Sequence, residues 1–248
     1  MKPPVIAVYS IKGGVGKTAA AVNLAYEAAE SGRRVLLWDL DPQGASSFYF
    51  RIKPKIKGNA RKLVMGKTDL SEQIKGSDFE GLDLLPADLS YRHFDIALDE
   101  VKKSDRQLAK RLGPVADDYD LVLLDCPPGL TLLAENVLHA ADYMLVPVIP
   151  TTLSARTLEQ LTSFCVKNGV TRLQIMPFLS MVDRRKTLHR QLLESLPEEC
   201  PGFLDSSIPY ASEVERMGVH RAPIGAFAAR SLARDSFRAL WDDVAGHL

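Results

Sequence analysis

The chain has 248 residues, 46% of them hydrophobic, and its 31 basic side chains match its 31 acidic ones, so the formal net charge is zero. That length suits one sizeable domain able to bury a core without disulfides or metals, and the balanced charge excludes the global positive field of a protein that coats nucleic acid. Three scattered cysteines, Cys126, Cys165 and Cys200, form no CxxC pair, no apolar run nears the roughly 20 residues that span a bilayer, and the N-terminus lacks the order of a targeting peptide; free thiols in a cytoplasmic protein are expected.

In chain order, the apolar run Val5-Ile6-Ala7-Val8-Tyr9 predicts a first strand. It leads through Lys12-Gly13-Gly14-Val15-Gly16-Lys17-Thr18 into an alanine-rich helix expected over Thr18 to Glu30, with Gly32 placed to end it. Val35-Leu36-Leu37-Trp38 predicts the next strand, which runs into Asp39-Leu40-Asp41-Pro42-Gln43. Residues 44–118 are less regular, with a short strand expected at Leu82 to Leu85 and helical patterns around Ser90 to Glu100 and Asp105 to Ala116. Leu121 to Leu124 is a further strand ending at Asp125, followed by strands at Tyr143 to Val148 and Leu173 to Leu179. Continuous apolar runs of this kind belong to strands buried on both faces. From Ser231 onward, Leu232, Phe237, Leu240, Trp241 and Val244 fall near helical spacing and predict a helix with one face on the core. The alternation predicts an α/β fold, a doubly wound, mostly parallel sheet flanked by helices, in one domain over residues 1–248.

The loop at Lys12 to Thr18 carries the chemistry. A strand that ends in glycines and opens into a helix aims backbone N–H groups and the positive end of the helix dipole at one point. Gly13, Gly14 and Gly16 let that backbone approach phosphate oxygens with no Cβ in the way. Lys17 is placed to reach β- and γ-phosphates, and the Thr18 hydroxyl to bind Mg²⁺. The general pattern asks for glycine where Ile11 stands, and Lys12 is a second lysine in the loop. Asp39, Asp41 and Asp125 each follow a predicted strand, at the sheet edge where ligands bind. Taken alone, Asp39 and Asp41 also suit a turn before Pro42. Cys126 reads as a small buried thiol, and the five histidines show no metal spacing.

Lys-Gly-Gly-x-Gly-Lys-Thr resembles the deviant phosphate loop of the ParA/MinD family of ATPases. Trp38 to Gly44 and Asp125-Cys126-Pro127-Pro128 resemble two further motifs of that family. The resemblance implies a P-loop NTPase fold, ATP and Mg²⁺ as cofactors, and a homodimer that sandwiches two nucleotides. Residue by residue, it implies that Lys12 crosses to the ATP of the other subunit, that Lys17 holds the phosphates, and that Asp39 and Asp41 form the switch, Asp41 handling the attacking water. It further implies that Thr18 and Asp125 hold the metal. Val15 completes the loop, and Ala19 stands where the family often has a threonine that meets the α-phosphate, which implies lower nucleotide affinity. Ile208-Pro209 resembles the step before the adenine-lining segment, with Pro209 as a base contact, and Met181 to Arg185 with Leu188 resembles a motif after a late strand.

Family members switch between monomer and dimer, and the dimer binds nucleoid DNA or membrane. The C-terminal Phe237 to Leu248 has acids near its tip and no lysine cluster, so membrane is disfavoured. Arg51, Lys53, Lys55, Lys57, Arg61, Lys62 and Lys67 form a run with no acid among them; it reads equally as a nonspecific DNA patch, with nucleoid association, or as a solvated loop. Arg184, Arg185, Lys186 and Arg190, and then Arg216, Arg221, Arg230 and Arg234, are further basic groups, while Glu213 and Glu215 stand where partition members often carry arginines. The leading expectation is a ParA-type ATPase that positions a plasmid, a chromosome locus or a protein cargo, stimulated by a partner or cargo adaptor protein. The runner-up is a regulatory or scaffold switch whose ATP-bound dimer binds a protein. A third is a small-molecule enzyme on the same core, such as an amide-forming synthetase; a metal-insertion relative would bring a CxxC pair.

Overall fold

In the computed structural model, which describes residues 2–200 and 202–248, the first apolar run becomes β1, Val5–Val8, and its glycine loop opens α1, Lys17–Glu30. The chain continues through β2, Val35–Asp39; the short helices α2, Ala45–Tyr49, and α3, Ala60–Val64; β3, Lys75–Gly76; and β4, Leu82–Leu85. Next come α4, Phe94–Asp99; α5, Gln107–Ala116; β5, Leu121–Asp125; α6, Leu132–Ala140; β6, Tyr143–Val148; α7, Ser154–Lys167; and β7, Gln174–Val182. The remainder is α8, Thr187–Glu199; β8, Ser207–Pro209; α9, Ser212–His220; α10, Ile224–Phe227; and α11, Leu232–Ala245.

The eight strands of the described residues join one sheet in the order β3-β4-β2-β5-β1-β6-β7-β8. Every described pairing is parallel except β3 with β4. The doubly wound α/β expectation holds. Because side chains alternate across a strand, each apolar run feeds two cores. Ile6, Val8, Leu37 and Leu123 pack on the α1 and α11 side, and Ala7, Trp38, Leu124 and Met144 on the side of α4 to α7. Alanines dominate α1 because it is covered almost all round. Gly32 follows its end at φ +89°, a conformation that costs glycine little.

Several boundaries moved. The helical pattern at Ser90 to Glu100 splits into a 3₁₀ turn, Leu89–His93, capped by the Asp88 carboxylate, followed by α4. The late strand runs to Val182, three residues beyond its expected end. Leu232, expected on the packed face of the last helix, is 73% exposed, while Phe237, Leu240, Trp241 and Val244 are buried as expected. Leu232 lies in the first turn of α11, before the apolar stripe meets the sheet. The strands β3 and β8 leave no mark in the sequence, because two or three residues carry too little periodicity to read.

Candidate functional site

The site lies at the carboxyl end of β1, between β5 and β6, where chain order reverses across the sheet. Gly14 and Gly16 hold φ of +71° and +96°. Gly16 is the N-cap of α1 and offers no side-chain cap, so the first N–H groups of the helix are left to a ligand. A Cβ at Gly16 would lie 2.9 Å from Ser180 Oγ, and that hydroxyl donates to the Val15 carbonyl at 2.9 Å. The loop is thus strapped from beneath by β7.

The two loop lysines take opposite courses. Lys17 is buried and its Nζ donates to the Lys12 carbonyl at 3.0 Å. Burial lowers the Lys17 pKa, with Asp125, Cys126 and Asp41 acting against that fall. Lys12 is exposed, and its backbone N–H donates to Ser10 Oγ at 3.3 Å.

Asp39 and Asp125 pair directly in the β2–β5 register and both are fully buried. Asp39 Oδ2 accepts from Ser47 N at 2.8 Å and from Ser47 Oγ at 2.7 Å. Asp125 Oδ2 accepts from Ser46 Oγ at 2.7 Å. The other oxygen of each, Oδ1, is buried with no hydrogen-bond partner among the described residues. Desolvation raises the pKa of both carboxyls; the Asp125 charge adds to the rise at Asp39, and the Ser46 and Thr18 hydroxyls oppose it at Asp125. Asp41 is half-buried and its Oδ1 accepts from Gln43 N at 2.9 Å. It therefore shapes the turn, as its position before Pro42 suggested, and also faces the cavity.

That cavity has a volume of about 500 Å³, inside the roughly 300–1,000 Å³ of small-molecule sites. Gly13, Gly14, Gly16, Lys17, Thr18, Ala19, Asp41 and Pro209 all line it. Residues from the two ends of the chain's reading thus meet in one place. Asp39 and Asp125 lie buried beneath it, and Val15 turns away with its side chain buried. Lys12 lines a separate cavity of about 220 Å³ on the β6 side, with Thr151, Ser154 and Leu158. Ser46, Ser47 and Ser180 are functional positions that the sequence does not mark, since a lone serine carries no signal until its partner is known. Tyr210 also lines the cavity, its hydroxyl donating to Glu215 Oε1 at 3.2 Å.

The donor set fits a nucleotide with Mg²⁺. Among the described residues no group of three or more His, Cys, Asp or Glu side chains could hold a metal, and Mg²⁺ needs no such cage because phosphates and waters supply most of its oxygens. One hydroxyl, Thr18, and one carboxylate with an orphaned oxygen, Asp125, are the parts it requires of a protein. Cys126 is buried beside Asp125, its thiol pKa pushed well up by desolvation, and fills space as expected.

Tertiary contacts reduce the basic run. Arg51 pairs with Asp78 at 3.3 Å, Lys57 with Glu72 at 3.5 Å and Arg61 with Glu100 at 2.7 Å. Arg185 pairs with Asp183 at 2.9 Å, and Arg234 is held by the buried Glu27 at 3.2 Å. Among the described residues, no helix is long and apolar enough to cross a membrane.

Comparison with known proteins places this geometry. Residues 3–174 match an AAA domain family. The chain is 38% identical over 145 residues to an uncharacterized protein of Pseudomonas putida, and the match spans 58% of this chain but only about half, 55%, of that relative. With the sporulation initiation inhibitor protein Soj of Bacillus subtilis it shares 31% identity over 252 residues, covering 98% of each. A plasmid partition protein of Borrelia burgdorferi bound to AMPPNP superposes with a TM-score of 0.87 over 100% of both chains; at 24% identity this is a likeness of fold. Cobyrinic acid a,c-diamide synthase from Mycobacterium smegmatis, with bound ADP and magnesium, superposes with a TM-score of 0.84 at 28% identity, covering 99% of this chain and 95% of that one. The family match over most of the chain and the nearly full-length alignment with Soj agree with the paired-lysine loop: the chain belongs to the ParA/MinD family of P-loop ATPases.

Proposed function

We propose that this chain is an ATP-dependent, dimerising ATPase that positions or segregates a plasmid, chromosome locus or protein cargo on nonspecific DNA, with hydrolysis slow until a partner protein stimulates it. The observation that carries this reading is the divergence of the loop lysines: Lys17 is buried against its own loop, while Lys12 is exposed beyond the nucleotide cavity. A site that served one nucleotide would have little use for the second lysine; a site shared across two subunits has a use for it.

Phosphoryl transfer asks the protein mainly for position and charge. In this reading the loop N–H groups and Lys17 hold the phosphates, and Thr18 and Asp125 hold Mg²⁺, which neutralises phosphate charge when bound. Asp41, on the half-exposed turn facing the cavity, orients the water. Asp39 sits behind it as an anchor for the turn through Ser47. Pro209 and Tyr210 close the base end.

A second reading, a nucleotide-switched dimer that binds a protein rather than DNA, is favoured by the ion pairs that engage Arg51, Lys57 and Arg61. The Mycobacterium smegmatis synthase shares the core, and ATP-driven dimerisation without any acceptor substrate separates both readings from a synthetase.

Random duplex DNA titrated with salt, with ATP against ADP and with Asp41→Ala to trap the ATP state, decides between them. DNA binding seen only with ATP and weakened steeply by salt is the expected result. An ATP-dependent dimer in light scattering that ignores DNA would move the function to the protein-directed switch. Lys17→Ala is expected to abolish nucleotide binding, and Asp41→Ala to keep binding and lose turnover; normal turnover in the latter removes Asp41 from the mechanism.

A further inference from the structure

The segment that carries Asp41 does not end in a free loop. It turns at Gly44, φ +65°, into α2, and the buried hydroxyls of that helix are used on two different carboxylates. Ser46 Oγ donates to Asp125 Oδ2 at 2.7 Å, while Ser47 donates through both N and Oγ to Asp39 Oδ2. Ser47 Oγ also accepts from Ala87 N at 3.0 Å, so its hydroxyl both donates and accepts within the packing. Among the described residues the Ser46 hydroxyl has one partner, the carboxylate that fits Mg²⁺. Both serines are completely buried. The same helix walls the nucleotide cavity with Ala45 and Tyr49.

A buried carboxylate with an unpaired oxygen is expensive to keep. Asp125 keeps one, Oδ1, while Oδ2 is fixed by Ser46. A cation with strict octahedral demands is served best by an oxygen held in one orientation, and partners that hold a metal ligand in place act on affinity almost as strongly as the ligand.

We propose that Ser46 is a positioning residue for the divalent cation: by engaging Oδ2 it fixes the rotation of the Asp125 carboxylate, reserves Oδ1 for the hydrated cation, and ties the Asp41 turn to that carboxylate through α2. This rests on the nucleotide and Mg²⁺ reading above. It assigns the two adjacent serines different tasks, Ser46 toward the metal and Ser47 toward the packing of α2.

The test is ADP binding by calorimetry on the full chain, titrated with Mg²⁺ and compared with an EDTA baseline, for the wild type, Ser46→Ala and Ser47→Ala. Ser46→Ala is expected to raise the Mg²⁺ concentration needed for half of the effect about tenfold, with metal-free ADP affinity unchanged. Ser47→Ala is expected to lower the melting temperature while leaving the Mg²⁺ requirement near the wild type. Should Ser46→Ala not fold, Ser46→Cys keeps the volume, weakens the donor and is expected to shift the requirement in the same direction. A wild-type Mg²⁺ requirement without the Ser46 hydroxyl overturns the proposal, as does an equal shift in both serine variants, which would trace the effect to α2 packing alone. Mg²⁺-independent ADP binding by the wild type would remove the metal reading itself, and the proposal with it.

Discussion

Lys12 and Lys17 carry the same charge in one loop and meet different surroundings because the glycines between them reverse the backbone. Gly14 and Gly16 take left-handed conformations, which curl the loop until the Lys12 carbonyl meets the Lys17 ammonium. Gly16 is the more constrained of the two, since an added Cβ there meets the Ser180 hydroxyl, whereas nothing lies within 4 Å at Gly14. A left-handed conformation costs an L-residue roughly 1–2 kcal/mol. Gly16→Ala is therefore expected to lose at least about that much in urea unfolding and to weaken ADP binding as the Ser180 strap to Val15 is displaced. Wild-type values for both would show that the loop tolerates a side chain and that the strap is incidental.

At the scale of elements, α1 is the link between the phosphate loop and the C-terminal helices. Its Glu27 accepts from Arg234 at 3.2 Å and from Arg238 at 3.3 Å on α11. Asn23, also on α1, accepts from Ile224 N at 2.8 Å and donates to Ala19 O at 2.8 Å. The Glu27 side chain is 3% exposed and Arg234 is 14% exposed, so removing the carboxylate takes the closest countercharge from a nearly buried guanidinium and leaves it Glu30 at 3.9 Å and the Ala229 carbonyl. Glu27→Ala is expected to cost roughly 3 kcal/mol in urea unfolding, the low end for a broken buried pair because Arg238 is half exposed. A loss below about 1 kcal/mol would place this pair with ordinary surface ion pairs. The same contacts explain why Arg234, grouped by sequence with other basic residues, is unavailable to a phosphate backbone.

For the whole molecule, the two buried carboxyls make stability depend on pH. Desolvation raises both pKa values above the ordinary carboxylate range, so the folded chain binds their protons more tightly than the unfolded chain does. Their contribution is fully present below the ordinary carboxylate pKa and is lost as pH rises through the raised folded values. Asp183 is held low, near 2, by Arg185 and titrates below this window. The melting temperature of the metal-free chain is therefore expected to fall as pH rises from about 5 to about 8, and Asp39→Asn to flatten that slope. A metal-free chain that gained stability over the same range would show that these carboxyls are charged without penalty. Mg²⁺ with ADP is expected to oppose the fall, by supplying a countercharge to Asp125.

The strand-loop-helix unit, the five principal strands and the position of Asp39, Asp41 and Asp125 at strand ends are legible from the amino acids alone, because they rest on local patterns. Continuous apolar runs specify strands buried on two faces, and glycine spacing specifies a backbone that can approach phosphate. The sequence also carried the resemblance through the paired lysines. Packing alone brings Ser46 and Ser47 onto the buried carboxylates and Ser180 under the loop, and turns Leu232 to solvent. It likewise decides that three cations of the basic run have acidic partners at Asp78, Glu72 and Glu100. Hydrogen bonds and ion pairs between residues distant in the chain, such as Ser46 with Asp125, Ser180 with Val15 and Arg61 with Glu100, leave no periodicity in the sequence; their partners are chosen by the packing of helices on the sheet.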